Sequence, residues 1–383
     1  MKKLYLWPLI AILAFAASCA RRPYEAGDGW KVDKPENRGL NPDELERMLN
    51  RIARSRRIYS FLVVKDGYIV SEYYAGRFNK NSVFRLRSIS KSVTSALIGI
   101  AIDEGLINCI DTPIKEYFPE LCDSKDEITI KHLLSMTTGW SWPEMATHNR
   151  TRWIWNWTRS LYWEWFRAKN QVNFILERPQ IYAPGYVFNY DTGATHLLAA
   201  ILQKASGMPA DEYAQKRLFD RIGIKSARWA RDNQGVTRGG SGLSMTARDA
   251  AKFGQLYLDR GNWDGEQIIP EEWVDISTSV QTGITNTLSQ HGLHWWINRV
   301  IASSEDDMSP LWWDGRIIAD DTTYELFYAS GFGGQYIFII PELNMVIVFT
   351  SRFLSNNPSV PHLHYIHYLR THLPRLVTGY YPE

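Results

Sequence analysis

The chain has 383 residues, of which 45% are hydrophobic and 22% charged. That is an ordinary globular composition, enough for one large domain or two lobes. With 43 Lys and Arg against 41 Asp and Glu, the net charge is +2. No broad basic surface follows from that balance, which argues against nucleic acid as a partner.

The N-terminus is read apart from the fold. Met1-Lys2-Lys3 is a basic start, and Leu4 to Ala17 is an apolar run too short to span a bilayer comfortably. Ala16-Ala17-Ser18-Cys19 is a small-residue cleavage site ending in cysteine. The pattern is an export signal over residues 1–18 and resembles a bacterial lipoprotein signal, with Ala16 standing where such signals usually carry leucine. On that reading Cys19 becomes the lipidated first residue and tethers the domain at the cell envelope. The alternative is plain secretion with a cut near Ala17. Removing the signal takes away Lys2 and Lys3 and no acid. No later apolar run reaches membrane-spanning length, so a membrane is met only through the lipid at Cys19. Cys109 and Cys122 remain. In an oxidising compartment they either pair across a short loop or stand as separate thiols.

Residues 19–40 are rich in Arg, Pro, Gly, Asp and Lys and read as a linker or surface arm. Asn41-Pro42-Asp43-Glu44 starts a helix, with Asn as N-cap and Pro in the first position. Leu45, Met48, Leu49, Ile52 and Ala53 continue it at helical spacing. Phe61-Leu62-Val63-Val64 and Tyr68-Ile69-Val70 flank Lys65-Asp66-Gly67, the pattern of a hairpin. A buried helix follows from Ser88 to near Asp103-Glu104-Gly105. From about 107 to 285 the signals are helices and long loops. Thr129 caps a short helix through His132, Leu133 and Leu134. Asp191 to Ser206 is a helix closed by Gly207, Thr246 caps another, and Pro270 starts a third. After about 290 strands return: 294–297, 326–328, 335–340 and 345–350, the last two around Pro341-Glu342-Leu343-Asn344. Residues 360–373 form a terminal helix.

Strands at both ends with helices between predict one sheet built from the two termini. The expected fold class is α/β (α+β), an antiparallel sheet flanked by helices plus an inserted all-helical lobe. The sheet lobe covers about 41–106 and 290–383 and the helical lobe about 107–289. Active sites favour such lobe boundaries. No internal repeat, Gly-rich phosphate loop or G-x-S-x-G is present, and the last absence argues against the common α/β-hydrolase arrangement.

The chemistry concentrates at Ser88-Ile89-Ser90-Lys91, the only S-x-x-K in the chain. Residues three apart on a helix share a face, so the Ser88 hydroxyl and the Lys91 amine meet at the mouth of the buried helix. A serine needs a neighbouring base to become a nucleophile. Burial and the positive end of the helix dipole both disfavour a lysine cation, lowering its pKa from about 10.4. A chance S-x-x-K is common, but Lys91 falls inside an otherwise apolar helix, where an unpaired charge is costly.

Other candidates surround this pair. Tyr190, in Asn189-Tyr190-Asp191-Thr192-Gly193, stands just before a helix; it either points its hydroxyl into a cleft or packs as an ordinary tyrosine. Ala329-Ser330-Gly331-Phe332-Gly333-Gly334 permits close backbone approach, for an oxyanion or simply for a bend. Trp140, Trp142, Trp153, Trp155, Trp157, Trp163 and Trp165 crowd one stretch. They wall a cleft, touch a membrane surface or pack a lobe. His362, His364, His367 and His372 lack a completing carboxylate or cysteine nearby and read as a solvated helix, not a metal site.

With these residues in view, the chain resembles the serine β-lactamase and penicillin-binding-protein superfamily, in its class C-like branch of esterases, D-aminopeptidases and 6-aminohexanoate-oligomer hydrolases. The resemblance runs from about residue 57 to 355. Besides Ser88 and Lys91 it includes 128–139 (ITIKHLLSMTTG), 242–249 (GLSMTARD) and the Pro341-Glu342 turn. It implies a β-lactamase/transpeptidase-like fold with the site between the lobes. By resemblance Ser88 is the acylated nucleophile and Lys91 its partner. Tyr190 is the tyrosine of Y-x-N, a general base and acid, and the backbone N–H groups of Ser88 and Phe332 form the oxyanion hole. Thr192 replaces the Asn of that motif. Ala329-Ser330-Gly331 replaces the usual Lys-Thr-Gly or His-x-Gly, which removes a charge-assisted hydrogen bond worth roughly 1.5–3 kcal/mol. β-Lactamase activity is therefore expected to be weak. The reading is an exported serine hydrolase acting on small-molecule or peptide-like amides or esters, with no metal or organic cofactor. The alternative is a non-catalytic relative that binds cell-wall peptides or a partner.

Overall fold

The computed structural model describes residues 24–25, 28–55, 57–122, 125–144, 161–281, 290–301, 323–352 and 360–377. The export signal, Cys19, Trp153, Trp155 and Trp157 lie outside them, as do the side chains of His362, His364 and His367.

Two short strands come first, β1 (Tyr24–Glu25) and β2 (Lys31–Val32), followed by helix α1 (Pro42–Ser55). β3 (Ile58–Lys65) and β4 (Tyr68–Tyr74) form the expected hairpin. Asp66 and Gly67 turn it at φ 52° and 76°, the pair of positive values that matches the right-handed twist of flanking strands. β5 (Val83–Arg85) leads into α2 (Ile89–Asp103), which is buried from Ile89 through Ala101. The middle of the chain carries α3 (Ile130–Leu134), α4 (Leu161–Arg167), α5 (Gln171–Leu176), α6 (Thr192–Ser206) and α7 (Ala210–Ala214). Next come β6 (Arg228–Trp229), β7 (Leu243–Thr246), α8 (Ala247–Leu258), β8 (Asn262–Trp263), β9 (Glu266–Gln267) and α9 (Glu271–Thr278). β10 (Gln290–His291), β11 (Trp296–Ile301), β12 (Thr323–Gly331), β13 (Gln335–Ile340), β14 (Met345–Ser351) and α10 (Val360–Val377) complete the described chain.

One nine-stranded sheet runs in the order β1-β2-β4-β3-β14-β13-β12-β11-β10. All its pairings are antiparallel except β2 with β4. At its centre β3 meets β14, with Leu62 opposite Val348 and Val63 opposite Ile347, so the two ends of the chain do build one sheet. Alternation along the strands sorts the core into two layers, because successive side chains leave opposite faces. Phe61, Val63, Ile347 and Phe349 face α1 and α10, where Leu45, Met48, Leu369 and Leu373 await them. Leu62, Val64, Val346 and Val348 face the other layer, with α2 and α8. Each such side chain, fully buried, contributes about 1.5–3 kcal/mol.

Three expectations change, and two that stood open are decided. Residues 28–40 are not a loose linker: Trp30 is buried, its Nε1–H donates to the Arg248 carbonyl at 3.1 Å, and β2 pairs with β4. α8 falls by position in the helical lobe, yet it packs on β3, β13 and β14, because Gly254 lets it come close: a Cβ there would lie 2.6 Å from Val346 Cγ1 and 2.8 Å from Ile337 Cγ2. His372 is not on a solvated helix; it is buried and pairs through Nδ1 with Glu44 at 2.6 Å, joining α10 to α1. Trp140, Trp142 and Trp165 are packing residues, each at most 1% exposed. Cys109 and Cys122 are exposed and are not joined in a disulfide.

Candidate active site

The turn carrying Ser88 is built by a small sheet. β5 pairs antiparallel with β7, Phe84 opposite Met245, and the Leu86 N–H donates to the Leu243 carbonyl at 2.9 Å. The 242–249 segment singled out in the sequence is thus the rail along which the chain reaches Ser88. Arg87 takes φ 55° and Ser88 opens α2 with φ −71° and ψ −6°. A serine at a helix start usually caps backbone amides with its hydroxyl. Ser88 makes no such bond, which leaves its hydroxyl for other side chains. Ser90 holds the turn instead: its hydroxyl donates to the Arg87 carbonyl at 2.6 Å and accepts the Leu243 N–H at 3.2 Å.

Lys91 is 3% exposed and its Nζ meets three oxygens. Ser88 Oγ stands at 3.2 Å, Thr192 Oγ1 at 2.9 Å and the Gly240 carbonyl at 2.8 Å. The close approach of residue 240 needs glycine, since a Cβ there would lie 2.7 Å from Thr192 Cγ2. Tyr190 comes from the other side. Its hydroxyl is near enough to Ser88 to feel that side chain, and Lys91 Nζ lies 4.8 Å from its ring centroid. Ser88, Lys91, Tyr190 and Thr192 are therefore brought together.

Sequence reasoning missed Glu144. Its Oε1 accepts the Thr192 hydroxyl at 2.6 Å, while its Oε2 accepts the Thr192 N–H at 2.7 Å and the Trp142 Nε1–H at 2.8 Å. It follows Trp142-Pro143 in a loop, and no spacing in the chain ties it to Ser88. His291 and His294 were missed as well. Both are buried; His294 Nε2 lies 3.1 Å from Thr195 Oγ1, and the Ser92 hydroxyl donates to the His294 carbonyl at 2.7 Å.

The end of β12 closes the site. Gly331 lies against the Ser88 turn: a Cβ there would clash with the Leu86 carbonyl oxygen and stand 3.2 Å from Arg87 Cβ. Phe332 follows it. Among the described residues the Ser88 N–H has no hydrogen-bond acceptor. Ser330 does not join the group. It pairs with Tyr336 across the ladder and shares the face that Tyr328 and Tyr336 take, because a strand turns alternate side chains to opposite faces. Its side chain is thus on the α1/α10 face, and only the backbone of this position runs past the site.

The electrostatics follow from burial. Burial pushes the Lys91 amine below the ordinary lysine value, against the raising pull of Glu144, Tyr162 and Asp191. Burial also holds the Tyr190 phenol well above the usual tyrosine range; Glu144 adds to this and the Ser88 side chain opposes it. Asp191, whose Oδ1 caps α6 through the Ala194 N–H at 2.8 Å, is pushed up to about 8, chiefly by burial. Burial pushes His291 down to about 3. A hydroxyl thus sits between an amine disposed to be neutral and a phenol disposed to keep its proton. That pairing can activate an alcohol on one side and supply a proton on the other.

Comparison with known proteins agrees with this geometry. A 6-aminohexanoate-dimer hydrolase of Paenarthrobacter ureafaciens is 26% identical over 319 residues, covering 80% of this chain and 74% of that protein. Among solved structures, an octameric penicillin-binding protein homologue from Pyrococcus abyssi has a TM-score of 0.64 at 19% identity, over 86% of this chain and 76% of that one. EstCE1, a hydrolase with promiscuous acyltransferase activity, has a TM-score of 0.65 at 14% identity, over 86% and 99%. At these identities the structures speak for the fold alone. The Beta-lactamase family model matches residues 45–369, most of the chain and every residue of the site just described. The chain belongs to the beta-lactamase family.

Proposed function

We propose that the protein is a serine hydrolase that cleaves amide or ester bonds through an acyl-enzyme on Ser88. The observation that carries this reading is the placement of the Ser88 hydroxyl between the Lys91 amine, at 3.2 Å, and the Tyr190 phenol. In acylation Ser88 Oγ bonds to the substrate carbonyl carbon and its proton passes to Lys91. The oxyanion that develops is met by the backbone N–H groups of Ser88 and Phe332. The bond from carbon to the leaving nitrogen or oxygen then breaks, and the leaving atom takes the Tyr190 proton. The acyl-enzyme at that point holds a Lys91 ammonium beside a Tyr190 phenolate, so the two charges compensate. In deacylation a water gives one proton to Tyr190 and its hydroxide adds to the acyl carbon. Ser88 Oγ departs with the proton held on Lys91, and the starting state is restored.

The likeness to the 6-aminohexanoate-dimer hydrolase supports a linear amide or ester as substrate. Where Lys or His usually opens the third motif stands Ala329, buried and without charge, which supports the expectation of weak β-lactam hydrolysis. Export and lipidation at Cys19 belong to the same proposal and rest on the N-terminal sequence. A panel of p-nitrophenyl esters, linear amides and a chromogenic β-lactam, assayed on wild type and Ser88→Ala, tests the reading. Turnover of esters or amides that disappears in Ser88→Ala supports it. Turnover that persists unchanged in Ser88→Ala contradicts it.

A further inference from the structure

Glu144 touches no reacting atom, yet it decides how Lys91 presents itself. Three donors converge on its carboxylate at 2.6–2.8 Å: the Thr192 hydroxyl, the Thr192 N–H and the Trp142 indole N–H. A carboxylate only accepts hydrogen bonds, so the Thr192 hydroxyl proton is committed to Glu144. Thr192 Oγ1 then has only lone pairs to offer Lys91 Nζ, 2.9 Å away. The Gly240 carbonyl, at 2.8 Å, is likewise only an acceptor. A neutral amine has two N–H bonds and one lone pair. The two acceptors take both N–H bonds, and the lone pair is left facing the third neighbour, Ser88 Oγ, at 3.2 Å.

We propose that Glu144 is a positioning residue: by fixing the Thr192 hydroxyl as its own donor, it turns the Lys91 lone pair onto the Ser88 hydroxyl. The proposal rests on the reading of Ser88 as nucleophile and Lys91 as its base. Without the carboxylate, the Thr192 hydroxyl is free to rotate and donate to the Lys91 lone pair, which withdraws the base from Ser88. Thr192 thus takes a place that Asn holds in the resembled motif, and it works only with an acceptor behind it.

Glu144 has a second, opposing effect. Its negative charge favours the Lys91 ammonium, as do Tyr162 and Asp191, whereas burial disfavours it. Tyr190, His291 and His294 also face Lys91. Removing the Glu144 charge therefore makes Lys91 easier to deprotonate while leaving its lone pair misdirected. A residue that merely held the loop would not separate those two effects.

The test is the rate at which a fluorophosphonate probe labels Ser88, followed from pH 5 to 10 on the full folded chain, with melting temperatures recorded alongside. Glu144→Gln is expected to label about tenfold to hundredfold more slowly at its optimum, with the acid limb moved to lower pH. Thr192→Val is expected to lose as much with its acid limb in place, because Glu144 keeps its charge. Thr192→Ser, which restores the hydroxyl, should recover labelling to within about threefold. The double variant should be no slower than the slower single, since the two residues act as one unit. Glu144→Gln labelling at the wild-type rate with an unmoved acid limb overturns the proposal, as does a double variant whose losses multiply. If Glu144→Gln does not fold, Thr192→Val decides: labelling close to wild type overturns the proposal, and a loss rescued by Thr192→Ser supports it. Failure of the wild type to label at all would sink the hydrolase reading beneath it, which is a different outcome.

Discussion

Tyr190 lies flat against Trp296, with ring centroids 6.2 Å apart and planes at 16°. Tyr190 stands two residues before α6 and Trp296 opens β11, next to the edge strand β10, so this one contact aligns a helical segment with that end of the sheet. His291 packs edge-on against Trp296 at 5.0 Å, and Phe188 packs against His291 at 4.9 Å with its ring tilted by 53°. The phenol that meets Ser88 is thus aimed by an aromatic bracket.

Trp296→Ala should therefore damage catalysis more than stability. An aromatic pair of this kind contributes about 0.5–1.5 kcal/mol beyond its buried area. A kcat drop of about tenfold is expected, with KM within about twofold and Trp296→Phe recovering most of the rate. Steady-state kinetics on the best ester or amide substrate would check it; an unchanged kcat in Trp296→Ala would mean Tyr190 is held by something else.

The pH profile follows from the two shifted groups. Lys91 must lose its proton to act, and burial lowers the pH at which it does so. Tyr190 must keep its proton in the free enzyme, and burial raises the pH at which it loses it. The kcat/KM profile should rise through one acid limb and stay level to about pH 10, the ordinary tyrosine value. Asp191, pushed up to about 8, ionises within that window; Asp191→Asn keeps the helix cap and should leave the acid limb standing. Stability shares the sign. The unfolded chain binds a proton on Lys91 up to about pH 10.4, and the folded chain gives it up sooner. The Lys91 contribution to stability therefore rises with pH between those two values. Urea unfolding from pH 6 to 10 on wild type and Lys91→Met should show a slope that the variant lacks.

The turn before the nucleophile is strained and tightly packed. Arg87 holds φ 55°, a conformation that costs roughly 1–2 kcal/mol for a residue with a Cβ. Arg87→Gly should be tolerated to within about 1 kcal/mol, since relief of strain offsets the freedom glycine gains in the unfolded chain. Arg87→Val places a branched side chain where it fits worst and should lose about 1–3 kcal/mol of stability. Across the turn, a Gly331→Ala methyl would clash with the Leu86 carbonyl oxygen. Because a displacement of about 1 Å in a positioned group can cost 10²-fold, acylation should slow by about that factor. Chemical denaturation and single-turnover labelling measure the two effects.

How much of this was legible in the chain depended on whether the signal was local. Ser88 and Lys91 share one helix turn, so their meeting follows from helix geometry alone. The Asp66-Gly67 hairpin, the Thr246 cap and the Gly207 helix stop were readable for the same reason: each is decided by residues within a few positions. Glu144 was invisible because nothing periodic links a loop carboxylate to a hydroxyl on α6; only the folded path of the chain joins them. Ser330 was misread because its neighbour Gly331 approaches the site, and the motif does not say which face of β12 its own side chain takes. His372 read as solvated because its partner, Glu44, lies on the far end of the chain. Charge pairs across long separations are set by packing, which the local pattern does not carry.

Lipidation at Cys19 has its own test. Expressed with its own N-terminus in a bacterial host, the protein should incorporate labelled palmitate and fractionate with membranes. Cys19→Ser should abolish the label. Soluble, unlabelled wild-type protein cut near Ala17 would favour plain secretion instead.

The most direct measurement is the site of covalent capture. Wild-type protein is treated with a fluorophosphonate, digested and read by mass spectrometry. The account predicts one phosphonylated peptide, modified at Ser88, and no adduct in Ser88→Ala, Lys91→Met labelling at least a hundredfold more slowly. An adduct on another residue, or well-folded wild type that captures no probe while still hydrolysing ester or amide, would contradict it.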